Sequence, residues 1–174
     1  MGRTVKPEQQ KLFLLYAMKA VAIPLLDEQL IEMAGALALM NTFEVQSNLA
    51  ELVSSQLAQR RESVVGGLYS VSTVGASTLE LFQKELPFSK REAIDAYARQ
   101  NKDRLRLESQ LFAEYLQIGE NQFRVTLKLM EKDVPAFELS LLTTSKAEAA
   151  RIAEGWRRNA LEVYQSVFRH LLKK

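Results

Sequence analysis

An α+β fold is predicted for this 174-residue chain by three observations. The first half carries three stretches whose apolar residues recur at helical spacing, followed by a glycine-bearing hairpin pattern. The second half carries three runs that alternate apolar and polar residues with period two. The C-terminal stretch then returns to helical spacing without a break.

The first helix is expected over Lys6 to Ala22, where Leu12, Leu15, Tyr16, Met18 and Ala22 fall near one face and Pro7 suits a first turn. Ile23-Pro24-Leu25 breaks it. Asp27 and Glu28 favour the start of a second helix, because carboxylates there meet the positive pole of the helix dipole. Leu30, Ile31, Ala34, Leu37 and Ala38 form its apolar stripe. Asn41 ends that helix and caps the next, with Glu44 three residues on as the reciprocal half of a capping box. The third helix, Thr42 to Ser55, is expected to bury Phe43, Val45, Leu49, Leu52 and Val53. Leu57 to Arg61 and Leu68 to Val71 read as a β-hairpin, with a turn over Glu62 to Gly67 and Gly66-Gly67 at its bend. Gly75 marks the junction to a helix over Ala76 to Leu86, carrying Leu79, Phe82 and Leu86, and Pro87 closes the unit. Two short helices joined by a tight turn, preceded by a helix and followed by a hairpin, predict a winged helix-turn-helix domain over residues 7–86.

Ser89-Lys90-Arg91-Glu92 reads as another capping box, opening a polar linker helix to Leu107 with Ile94, Tyr97 and Ala98 inward. A three-stranded antiparallel meander follows. Phe112, Glu114 and Leu116 leave the buried face of its first strand open. Phe123, Val125, Leu127 and Leu129 share a face in the second strand, and Phe137, Leu139 and Leu141 in the third. Gly119-Glu120-Asn121 and Lys132-Asp133-Val134-Pro135 supply the turns. Ser145-Lys146-Ala147-Glu148 caps a long C-terminal helix to Leu172, whose Ile152, Trp156, Ala160, Val163 and Val167 make a short coiled-coil-like seam. Residues 87–174 are thus predicted as a linker helix, a sheet and a packed helix, serving dimerisation or sensing.

Composition narrows the chemistry. With 47% hydrophobic and 25% charged residues, the chain can bury a sizeable core. Zero cysteines exclude disulfides, thiolate metal sites and a cysteine nucleophile. The apolar stretch Leu12 to Leu26 is interrupted by Lys19 and Pro24 and is too short to span a bilayer. Met1 to Gln10 is polar, without the apolar heart of a secretory leader, so a cytoplasmic location is expected. The single histidine, His170, cannot build a multi-histidine metal site, and it is expected to be a solvated residue of the last helical turn. Gly66-Gly67 lacks the Lys-Ser/Thr that completes a phosphate loop. No catalytic residue, metal ligand or cofactor is assigned, and an enzyme is not expected. Trp156, Tyr164 and Phe168 suit either a stacking platform or a core, and their helical spacing favours the core.

The helix-turn-helix is the one functional signal. Such a module lays its second helix in the DNA major groove, where polar side chains meet base edges. The outward candidates are Thr42, Gln46, Ser47, Asn48 and Ser54; the amides of Gln46 and Asn48 match adenine, and the hydroxyls suit phosphate. Arg60 and Arg61, at the entry to the hairpin, are the nearest strong cations. Double-stranded DNA is the expected partner, bound by a homodimer in the service of transcription regulation. Charge pulls the other way. Residues 1–86 hold 7 Lys and Arg against 9 Asp and Glu, while residues 87–174 hold 16 against 12. The third helix has Glu44 and Glu51 but no base, and the wing tip Val64-Val65-Gly66-Gly67 carries no cation. A winged helix that binds protein instead of DNA is the alternative.

Several segments carry a resemblance: Lys11-Leu12-Phe13-Leu14-Leu15-Tyr16, Ile23-Pro24-Leu25, Asn48-Leu49-Ala50-Glu51-Leu52-Val53, Leu68-Tyr69-Ser70-Val71-Ser72-Thr73-Val74-Gly75, Ser145-Lys146-Ala147-Glu148-Ala149 and Gly155-Trp156-Arg157-Arg158-Asn159-Ala160. In these the chain resembles, over nearly its whole length, a family of uncharacterised bacterial proteins with an N-terminal winged helix. The resemblance implies that topology and a regulatory role, and it supplies no catalytic residues. Ser72-Thr73-Val74-Gly75 departs from the Thr-Glu-Lys-Gly usual after the wing in such proteins, which removes a lysine from the expected phosphate contacts.

Overall fold

A computed structural model of the chain describes residues 6–173, so the start expected to be polar, Met1 to Gln10, lies outside the described residues as far as Val5. Among the described residues the fold is α+β, with six α-helices and two three-stranded antiparallel sheets. It divides into two compact units between Ser109 and Gln110.

The first unit begins with α1 (Pro7–Val21). Ala22 ends it in the left-handed region, φ 58°, and donates its N–H to the Met18 carbonyl at 3.1 Å. The segment expected only as a break contains a two-residue strand, β1 (Leu25–Leu26). Then come α2 (Asp27–Ala36), α3 (Thr42–Ser54), β2 (Ala58–Ser63), β3 (Gly66–Val71), α4 (Thr73–Phe82), a 3-10 turn at Gln83–Glu85 and α5 (Phe88–Glu108). The sheet runs β1-β3-β2, with Leu25 opposite Tyr69, Leu26 opposite Leu68 and Arg60 opposite Tyr69. Phe13, Leu15, Leu30, Leu49, Leu52, Leu79 and Leu86 are buried in one core. Ile94, Ala98 and Leu105 of α5 belong to the same core, so the helix expected as a linker is a wall of this unit. The unit therefore runs past its expected end at Leu86 to Ser109.

Local chemistry accounts for most element ends, and for several shifts from expectation. The hairpin turn is narrower than the predicted Glu62 to Gly67: the strands continue to Ser63 and Gly66, leaving Val64 and Val65 at the tip. Gly66, at φ +126°, supplies the backbone conformation that lets the chain re-enter the sheet. Helix α2 stops at Ala36 because Ala38 turns left-handed, φ 49°. Helix α4 starts three residues before the expected Ala76, because Ser72 is its N-cap, accepting from the Gly75 N–H at 2.9 Å. The same hydroxyl lies 2.6 Å from the Gln56 carbonyl and 3.0 Å from that of Leu57. Helix α5 begins at Phe88 with Pro87 at its N-cap, so the expected Ser89–Glu92 capping box does not form.

The second unit is the predicted meander, β4 (Leu111–Gly119), β5 (Gln122–Glu131) and β6 (Val134–Thr143), with α6 (Lys146–Leu171) packed on one face. Register settles the open face of β4. Leu111, Ala113 and Tyr115 pair with Leu129, Leu127 and Val125, which pair in turn with Phe137, Leu139 and Leu141. This is the α6 side, because Phe137 stacks on Trp156 with ring centroids 5.8 Å apart. Phe112, Glu114 and Leu116 therefore lie on the opposite face. Ala149, Ala153, Trp156 and Ala160 are the buried stripe of α6, and the small alanines let the helix approach the sheet around the tryptophan. Ser145 caps the helix as expected, accepting from the Glu148 N–H at 3.1 Å.

Candidate nucleic-acid interface

Helix α3 is anchored at its start by the Asn41–Glu44 capping box: the Asn41 side chain accepts from the Glu44 N–H at 3.0 Å, and the Glu44 carboxylate accepts from the Asn41 N–H at 2.8 Å. The carboxylate also accepts from the Gln10 side-chain amide of α1 at 2.9 Å. The Asn41 backbone bond, then Gln10, holds the Glu44 carboxyl below its ordinary pKa. The second acid of the helix, Glu51, is ion-paired with Lys11 of α1. Both carboxylates of α3 are thus engaged at its base or by α1.

This arrangement relocates two residues. Asn48, expected to face outward as an adenine reader, is only 6% exposed. Its amide donates to the Gln10 side-chain oxygen at 3.0 Å and to the Glu44 carbonyl at 2.7 Å. It bolts α3 to α1 and does not belong to the outward face. Its position explains this, since Asn48 sits three residues after Val45 and four before Leu52, within the buried stripe. Phe43, expected in the core, is 78% exposed. The outward face of α3 carries Thr42, Phe43, Gln46, Ser47, Ala50 and Ser54, with the exposed Glu51 at its flank.

The two arginines part company. Neighbours on β2, they point to opposite sides of the hairpin. Arg60 lies over the Tyr69 ring, 5.7 Å from its centroid, and is ion-paired with Glu62. The hydrogen bond to Tyr69, then the charge of Glu62, raises its pKa. Its guanidinium fills the space a side chain at position 67 would need: a Cβ on Gly67 would fall 2.5 Å from it. Arg61 is exposed on the other side, opposite Leu68.

Elsewhere in the first unit, Glu32 of α2 takes two guanidinium nitrogens of Arg104 at 2.7 and 3.2 Å and the Tyr97 hydroxyl at 2.8 Å. Arg104, then Tyr97, outweighs partial burial and lowers the Glu32 pKa. Arg104 also meets Glu108 at 2.8 Å. This cluster clamps α2 to α5. A cleft at the start of α4, lined by Val53, Gln56, Ala58, Gln59, Ser72, Thr73 and Val74, offers no acid or base. In the second unit, Trp156 is buried, with its indole N–H 3.3 Å from the Lys128 carbonyl, and so is core and not a stacking platform. His170 is exposed, its Nδ1 2.7 Å from the Ser166 carbonyl.

Among the described residues, no group of three or more His, Asp or Glu side chains is placed to hold a metal ion, and no helix is long and apolar enough to cross a membrane. None of the curated proteins or solved structures matches the chain. One protein family does, over residues 10–171, which takes in every element except the first three residues of α1. The chain belongs to the family described as Domain of unknown function (DUF4364).

Proposed function

We propose that the chain is a cytoplasmic, DNA-binding transcriptional regulator, whose first unit is a winged helix that lays α3 in the major groove. The topology supports the winged-helix reading: α1, β1, α2, α3, β2 and β3 follow in that order, with sheet order β1-β3-β2 and the β2–β3 hairpin as the wing. The observation that carries the DNA reading is the exposed polar face of α3 within that topology. Lys11 offsets part of the charge of Glu51, while Glu44, held by the Asn41 N–H and the neutral Gln10 amide, keeps its negative charge at the start of the helix. Thr42, Gln46 and Ser47 remain exposed to meet base edges and phosphates, with Arg61 on the wing. Homodimerisation through the second unit is part of the same reading; Leu161, Phe168, Leu171 and Leu172 leave the end of α6 apolar and exposed.

Fluorescence anisotropy with labelled duplex DNA at low salt tests it. Binding that weakens steeply with added salt is expected, as for any ligand held by phosphate contacts. A folded protein that binds no duplex at low salt overturns the reading. The rival, a winged helix used to bind protein, is favoured by the exposed Val64 at the wing tip and by Val74 and Leu81 along α4. A protein that ignores DNA yet loses self-association on Leu81→Ser would decide for it.

A further inference from the structure

Phe43 has no task in the fold. It stands at the second position of α3, 78% exposed, while Val45, Asn48, Leu49 and Leu52 complete the buried stripe behind it. Gln46 and Ser47 lie three and four residues on and share its side of the helix. We propose that Phe43 is a specificity-determining residue that takes the 5-methyl group of a thymine in the major groove. The inference rests on the DNA-binding reading above and adds to it a base and an atom.

Three features converge on this assignment. Phe43 is in the first turn, the end of a recognition helix that reaches base edges. Glu44, the carboxylate of that turn, is turned back to the Asn41 N–H and the Gln10 amide, which leaves the Phe43 ring as the apolar group there. A phenyl ring neither donates nor accepts a conventional hydrogen bond, and the thymine methyl is the apolar feature the major groove presents. Gln46, beside it, carries the amide that matches adenine. The pair suits an A·T-containing step, with the ring on the methyl and the amide on the purine.

The test starts from a pool of duplexes with a randomised centre, enriched on the 174-residue chain at low salt. Each thymine of the enriched duplex is then replaced in turn by deoxyuridine, which deletes the 5-methyl and leaves base pairing unchanged. At one position the replacement is expected to weaken wild-type binding about fourfold, the worth of one buried methyl group. Phe43→Ala is expected to bind the thymine and uracil duplexes alike, whereas Ser47→Ala keeps the discrimination. Because Phe43 is exposed, Phe43→Ala should unfold at the wild-type temperature, which separates a binding loss from a folding loss. Wild-type binding indifferent to uracil at every position overturns the inference while leaving DNA binding standing. Discrimination that survives in Phe43→Ala overturns it too, as does unchanged duplex binding with lost self-association in sedimentation, which would put a second copy of the chain on the ring. Failure to enrich any duplex with a folded protein removes the DNA reading and the inference together.

Discussion

Gly75 and Gly155 are both helical glycines, and replacing each by alanine should move stability in opposite directions. An alanine Cβ at Gly75 would lie 1.8 Å from the Leu57 carbonyl oxygen, where real Cβ atoms essentially never come closer than 3.0 Å. The obstacle is backbone, so relief requires α4 and the start of β2 to part by about 1.2 Å, and packed interiors resist such shifts at about 1–3 kcal/mol or more. The same carbonyl accepts the Ser72 N–H at 3.1 Å and lies 3.0 Å from the Ser72 hydroxyl. Losing these bonds adds roughly 0.5–1.5 kcal/mol each. Against this stands the helix-propensity gain of alanine over glycine, about 1 kcal/mol. The clash wins, for a net loss of about 3 kcal/mol, or roughly 10 °C or more in the unfolding midpoint of a unit this size. At Gly155 a Cβ meets nothing within 4 Å. Gly155→Ala should therefore keep the propensity gain and stabilise by about 0.5–1 kcal/mol. Thermal unfolding followed by far-ultraviolet circular dichroism reads both variants. A Gly75→Ala protein within about 0.5 kcal/mol of wild type would mean that the α4 junction is not the tight contact described.

Further outcomes follow from the buried polar and aromatic contacts. Asn48→Ala should cost about 1–3 kcal/mol in urea unfolding, because it strands the oxygen of the buried Gln10 side chain, whereas Gln46→Ala should leave stability within about 0.5 kcal/mol and act only on duplex binding. Glu32→Gln should lower stability at neutral pH by under about 1 kcal/mol, since the pair with Arg104 is half exposed. The lowered pKa of Glu32 means that its contribution is present above the ordinary value of 4.5 and lost as pH falls through the depressed one, so urea midpoints of wild type and variant should converge below pH 4.5. A gap that persists or widens in acid would show that Arg104 does not hold Glu32 as described. Trp156→Ala should cost about 3–5 kcal/mol in the second unit, and Trp156→Phe distinctly less, measured by circular dichroism.

Elements specified by short-range chemistry were legible in the sequence. The Asn41–Glu44 box, the Ser145 cap and the period-two strands appear where residue type and spacing place them, because their causes lie within a few residues. What escaped depends on distant partners. The strand Leu25–Leu26 exists only through its pairing with β3, and nothing in two leucines announces it. Helix α5 looked like a linker because its sequence is polar, yet three apolar residues suffice to seat it in the first core. Within the candidate interface, Thr42, Gln46 and Ser47 were placed outward and are exposed. At Asn48 helical phase overrides polarity: positions 45, 48, 49 and 52 repeat as one helical face, and a polar residue there asks for a buried partner, which Gln10 provides. Phe43 is the converse case, an apolar residue that helical phase turns outward. The seat of Arg60 is hidden in the sequence because the ring of Tyr69 that carries it comes from the partner strand.

The Glu51–Lys11 pair makes the electrical character of the outward face depend in part on another helix. Lys11 lies on α1, yet its ammonium sets how much of the Glu51 charge that face shows. Two chains identical from Thr42 to Ser54 could therefore present different fields to an approaching polyanion if they differed only on α1. A variant library confined to the exposed side of α3 would miss this control, because the counter-charge of Glu51 sits on the helix behind it.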